Sequence, residues 1–128
     1  MSEPIAITVD SVKQGLTALV ESVGRGFAYT PRGVGVNKRC VYVYNGEPDC
    51  IVGRFLAGAG VPVERLERAD LGQHGTPGLA AAQLLLALED EGVITVEPHV
   101  ELILSEVQGY QDLEHRWSEV VRGVLANH

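Results

Sequence analysis

A chain of 128 residues, 45% of them apolar, can bury one real hydrophobic core, while a formal charge of −7 and only two cysteines exclude a broad phosphate-binding surface and a disulfide scaffold. The opening MSEPIAITVD has no basic segment followed by a long apolar run, and the richest apolar stretch, Leu79 to Leu88, is too short to span a bilayer. These features predict a single soluble domain over residues 1–128, cytoplasmic and without a membrane partner.

The charge is unevenly placed. Residues 1–40 carry five basic and three acidic side chains, whereas residues 60–128 carry four basic and twelve acidic ones. Nucleic-acid binding needs clustered Lys and Arg, so a nucleic-acid partner is not expected. A basic protein partner is compatible with the acidic half, because complementary fields steer encounter. The plainer reading is a charge that keeps the protein in solution.

In chain order, Ile5 to Val9 reads as a short strand or extended lead-in. Asp10 or Ser11 then caps a helix whose face is Val12, Leu16, Leu19, Val20 and Val23, ended by Gly24 and Gly26. Residues 24–37 hold four glycines and a proline and read as a loop or irregular hairpin. Cys40 to Tyr44 is the clearest strand, with Cys40, Tyr42 and Tyr44 on one face and Val41 and Val43 on the other. Asn45-Gly46 marks a turn in which both positions tolerate positive φ, but Pro48 and Asp49 give no clear returning strand. Asp49 is placed to cap a helix starting at Cys50 and ending in Gly58-Ala59-Gly60. Pro62 opens a short helix through Leu66 and Glu67. Thr76-Pro77 opens another, through Ala80, Leu84, Leu85 and Leu88, stopped by Gly92. Val93 to Val96 is extended and is broken by Pro98.

From Val100 the apolar spacing is sustained through Ile103, Val107, Tyr110, Leu113 or Glu114, Trp117, Val121 and Val124, with Gln108 and Gln111 off the stripe. Read as one helix it runs to about 26 residues, on the order of 39 Å at 1.5 Å per residue, with Gly109 as its weak point. The fold class expected is therefore α+β and predominantly helical: one or two short strand pairs, four to five helices, and a long amphipathic helix at the end. Residues 5–44 form a strand/helix/strand part and residues 49–128 a mainly helical part.

Cys50 is the residue with the clearest chemical potential, since a thiol at a helix N-terminus is favoured as thiolate by the helix dipole and free N–H groups. Arg54 lies four residues on, and a base would come from His74, His99, His115 or His128. Asp49-Cys50 together with Pro98-His99-Val100 is similar to the Asp-Cys and His-Val elements of the NlpC/P60 cysteine peptidases. That resemblance implies a cysteine hydrolase or transferase using Cys50 and His99, but the residues after His99 read as helix where that family continues in strands. The plainer reading of Cys50 is a core residue beside Cys40. A metal site built from Cys40, Cys50 and a histidine lacks the paired-ligand spacing of zinc modules, so neither metal nor cofactor is expected.

Gly78 to Val96 resembles the recognition helix and first wing strand of winged-helix regulators, with the helices at 50–58 and 62–69 completing a three-helix unit. Its reading helix offers Gln83 but no Arg or Lys and ends in Glu89-Asp90-Glu91, which is the wrong charge for DNA. Two further segments, Cys40-Val-Tyr-Val-Tyr-Asn-Gly-Glu-Pro-Asp-Cys-Ile-Val-Gly53 followed by Gly60-Val-Pro-Val, and Val107-Gln-Gly-Tyr-Gln-Asp112 followed by Trp117, resemble small uncharacterised proteins of actinobacteria and their bacteriophages. The likeness covers residues 37–125 and implies no reaction or catalytic residue. The function expected is that of a phage-type accessory or regulatory protein acting by protein–protein contact or self-association. Its interface candidates are Tyr110, Trp117 and Val121. A winged-helix regulator and a Cys50 enzyme are the alternatives.

Overall fold

A computed structural model of the chain describes residues 3–29, 41–71 and 80–128. The fold is α+β and predominantly helical, with six helices and two short strand pairs among the described residues. No described helix is long and apolar enough to cross a membrane.

Strand β1 (Ile5–Ile7) pairs in parallel with β4 (Ile94–Val96), Ile5 opposite Ile94 and Ile7 opposite Val96. Flanking bonds from Ile5 N–H to the Val93 carbonyl and from Glu97 N–H to the Ile7 carbonyl, both 3.0 Å, extend the ladder. Helix α1 (Val9–Val23) follows at once. Its cap is Thr8 rather than Asp10 or Ser11: Thr8 Oγ1 accepts from Ser11 N–H at 3.1 Å, and Ser11 Oγ accepts from Thr8 N–H at 2.9 Å. This reciprocal pair satisfies two backbone donors at once, and Asp10 becomes a first-turn residue favoured by the helix dipole. Val12 and Leu16 are fully buried, Leu19, Val20 and Val23 pack half-buried against the core, and Gly24 ends the helix at φ 92°.

A returning strand does form after Asn45-Gly46. β2 (Val43–Tyr44) pairs antiparallel with β3 (Glu47–Pro48), Tyr44 opposite Glu47 and Val43 opposite Pro48. Asn45 and Gly46 adopt φ of 54° and 79°, the two left-handed positions a tight hairpin turn requires. Asp49 N–H donates to the Tyr42 carbonyl at 2.9 Å, so Pro48 falls on the alternate pair, where an antiparallel ladder asks for no N–H donor. Proline therefore tolerates this strand despite its missing donor. Tyr42 is buried while Tyr44, at the hairpin tip, is exposed.

Helix α2 (Ile51–Gly58) begins after Cys50, and Asp49 is not its cap. The Asp49 carboxylate instead accepts from the Tyr29 hydroxyl at 2.5 Å, and Ile51 N–H donates to Gln111 Oε1 at 3.0 Å. Gly53 lets α2 lie directly against the Tyr42 carbonyl, which a Cβ at that position would overlap. Helices α3 (Val63–Leu71) and α4 (Ala81–Asp90) lead to Gly92 and β4. The expected Thr76-Pro77 cap, Cys40, His74 and the loop over 30–37 lie outside the described residues.

The single terminal helix expected from Val100 is two helices, α5 (Val100–Asp112) and α6 (Trp117–Ala126), which raises the helix number from five to six. The break is not at Gly109, which sits within α5, but at 113–116, where Glu114 takes φ 65°. It lets Trp117 N–H donate to the Phe27 carbonyl at 3.0 Å and sets Ala28 against Arg116 in an antiparallel bridge. One cluster of buried residues draws on β1, β4 and all six helices. Helix α5 packs against α2, α4 and α6.

Candidate interaction site

Cys50 occupies the N-cap position of α2 but is wholly buried, and no hydrogen bond joins its thiol to a histidine among the described residues. The free N-terminal donor it was expected to share belongs instead to Gln111, whose own amide N–H donates to Asp112 at 2.8 Å. Arg54 is directed elsewhere as well. Its Nε donates to the Asp49 carbonyl at 2.8 Å, and its guanidinium lies 5.1 Å from the centre of the Trp117 ring and 5.2 Å from that of Phe27. A wholly buried thiol with no base bonded to it among the described residues is packed as a small apolar core residue.

His99, the candidate base, stands at the head of α5 in a different constellation. Its Nε2 is 2.6 Å from Nδ1 of His128, whose Nε2 is 2.9 Å from the Glu106 carboxylate. With both rings neutral, one assignment satisfies all three groups: His99 donates to His128, and His128 donates to Glu106. The His128 side chain is only 7% exposed, and its carbonyl accepts from Lys13 Nζ at 3.0 Å. This chain ties the end of α6 to α1 and fixes the Glu106 carboxylate. Among the described residues no group of three His, Cys, Asp or Glu side chains is placed to hold a metal ion.

Glu106 also lines a cleft of about 400 Å³ between α5 and α6. From α5 come Glu106 and Tyr110, from the connection His115, and from α6 Glu119 with a floor of Val120, Gly123 and Val124. Tyr110 and His115 meet edge to face with ring centres 6.2 Å apart. Tyr110 is 51% exposed and Leu113, in the connection, 69%. Leu102, also exposed, shares their side of α5, since positions 102, 106, 110 and 113 fall on one helical stripe. The cleft thus sets two carboxylates and an aromatic ring over an apolar floor.

Of the three interface candidates, the structure keeps one at the surface. Tyr110 lies on the cleft, but Trp117 is wholly buried edge-on against Phe27, centroids 4.6 Å apart, and Val121 is buried beside it. Both are core because the break before α6 turns that stripe inward. The site residues missed by the apolar stripe are Glu106, His115 and Glu119. Their signal was present as the four-residue spacing of Leu102, Glu106 and Tyr110 and of Glu119, Gly123 and Asn127, but it follows a mixed polar and apolar face.

The winged-helix arrangement also changes in three dimensions. β4 follows α4 as expected, yet it pairs in parallel with β1 and leads through Pro98 into α5, so no wing hairpin forms among the described residues. Gln83, the one amide offered to a base edge, accepts from the Ala80 N–H at 3.2 Å. No family model, no curated protein and no solved structure matches this chain.

Proposed function

We propose that the protein is a small, non-catalytic accessory or regulatory factor of the cytoplasm that works by binding another protein through the outer face of α5 and the α5–α6 connection. The observation that carries this reading is the exposure of Tyr110 and Leu113 together beside an open cleft. Large apolar and aromatic side chains presented as a group, with polar residues at their edge, are the usual composition of a contact surface. The burial of Cys50 and the engagement of His99 by His128 weigh against the cysteine enzyme. The resemblance to small actinobacterial and bacteriophage proteins suits an accessory role.

A second copy of the chain fits this face less well than a different protein. A two-fold interface sets the same patch against itself, so Glu106 and Glu119 would face their own copies across a desolvating contact. A photo-crosslinking residue placed at position 110, expressed in cells, tests the reading. A discrete adduct at 110 that is absent from the same residue at Thr17 on α1, and that Leu113→Asp abolishes, is the expected result. Equal labelling from both positions, or none from 110, overturns it.

A further inference from the structure

We propose that the α5–α6 cleft is a receptor for an arginine side chain carried on an amphipathic helix of the partner. This deepens the contact reading above and rests on it. Three features of the cleft select that chemistry. Tyr110 presents a half-exposed aromatic face, on which a planar guanidinium stacks more favourably than a compact ammonium. Glu106 and Glu119 line the same cleft, and a guanidinium is the cation whose forked donors match carboxylates. The floor of Val120, Gly123 and Val124 accepts the three methylenes that separate an arginine head from its backbone.

The volume and the charge narrow the occupant further. About 400 Å³ lies at the lower end of the range for ligand pockets, room for one long side chain and an apolar neighbour. Glu106 is held in place by the His99–His128 chain through one of its oxygens, so the carboxylate is positioned before any partner arrives. Among the described residues Glu119 has no side-chain partner, which leaves its charge available to an incoming cation. Beyond the cleft, Leu113 and Leu102 offer an apolar track for the rest of a helix that bears the arginine. The twelve acidic residues of 60–128 against four basic ones add a field that draws such a helix in.

The test uses the full chain and two designed helical peptides of leucine and arginine, identical except that citrulline replaces arginine in the second. Calorimetric titration is made with the wild type, with Glu119→Gln in the cleft and with Glu67→Gln on α3. The last two carry the same net charge, so they separate a local contact from the general field. The proposal expects the arginine peptide to bind, the citrulline peptide to bind at least tenfold more weakly, and E119Q to lose about tenfold while E67Q loses less than twofold. Equal losses in E119Q and E67Q, equal binding of the two peptides, or no binding by the wild type each overturns the arginine receptor. If the crosslink at position 110 persists under any of those results, protein contact stands and only its basic anchor falls. If the crosslink is also missing, both readings fall.

Discussion

Gln111 shows how a polar side chain comes to be wholly buried in this fold. Its amide oxygen takes the N–H of Ile51, a donor at the start of α2 that the buried Cys50 side chain leaves without a cap. Replacing it by leucine removes the acceptor and leaves that N–H unsatisfied in the core, so Gln111→Leu should cost about 1–3 kcal/mol in urea unfolding. A loss below about 0.5 kcal/mol would mean that another group takes over the cap. Cys50 makes the complementary prediction. Its thiol should react with iodoacetamide only as fast as the protein unfolds, as followed by mass mapping of the Cys50 peptide, and labelling in step with a free thiol would restore it as a candidate nucleophile. The apolar stripe takes in Tyr110 and leaves out Gln111, whereas the structure exposes the first and buries the second. The deciding partner lies 60 positions away in sequence, and no local pattern carries that information. The Thr8 cap was hidden for a smaller reason: the third helical residue is Ser11, not the Glu or Gln that completes the familiar pairing.

The elements themselves were largely legible, because each is announced by its own residues. Val12 to Val23, Asn45-Gly46, Pro62 and Gly92 mark their helices and turn by local chemistry, and the structure places all of them within a few residues of expectation. The separation of α5 from α6 was not legible. Apolar spacing continues in phase through 113–116, and no glycine or proline interrupts it. What breaks the helix is tertiary: the indole of Trp117 enters the core beside Phe27, and the Trp117 backbone N–H donates to the Phe27 carbonyl. The cost falls on Glu114, held at φ 65° with a side chain that disfavours it. Glu114→Gly should therefore stabilise the protein by about 0.5–1 kcal/mol, and Gly109→Ala should do the same, since a methyl there meets nothing within 4 Å and extends a helix interior. If the helix instead ran on through 113–116, E114G would be destabilising by a similar amount. Gly53→Ala is the contrasting case. The methyl would strike the Tyr42 carbonyl, and thermal unfolding should show a loss of about 1–3 kcal/mol or more.

At the level of the whole molecule, the feature least visible in the sequence is the parallel pairing of residues 5–7 with 94–96. Two three-residue strands cannot stand alone, so this pair persists only because α1 and α4 bring their buried faces together around it. The same dependence runs through the molecule. Helix α6 packs on α1 and α5, α2 on α1 and α5, and Trp117 reaches back to Phe27 across most of the chain. A structure whose buried residues form one cluster has no obvious subset that can detach while the rest remains. Trp117 emission should accordingly be that of a buried indole in the native protein, and its change on heating or in urea should coincide with loss of helical circular dichroism. A fluorescence transition ahead of the dichroism would mean that α6 leaves the core on its own. In that event Trp117 and Val121 would return as contact residues exposed in an opened form, and the binding face would extend from the cleft into what is core in the closed one.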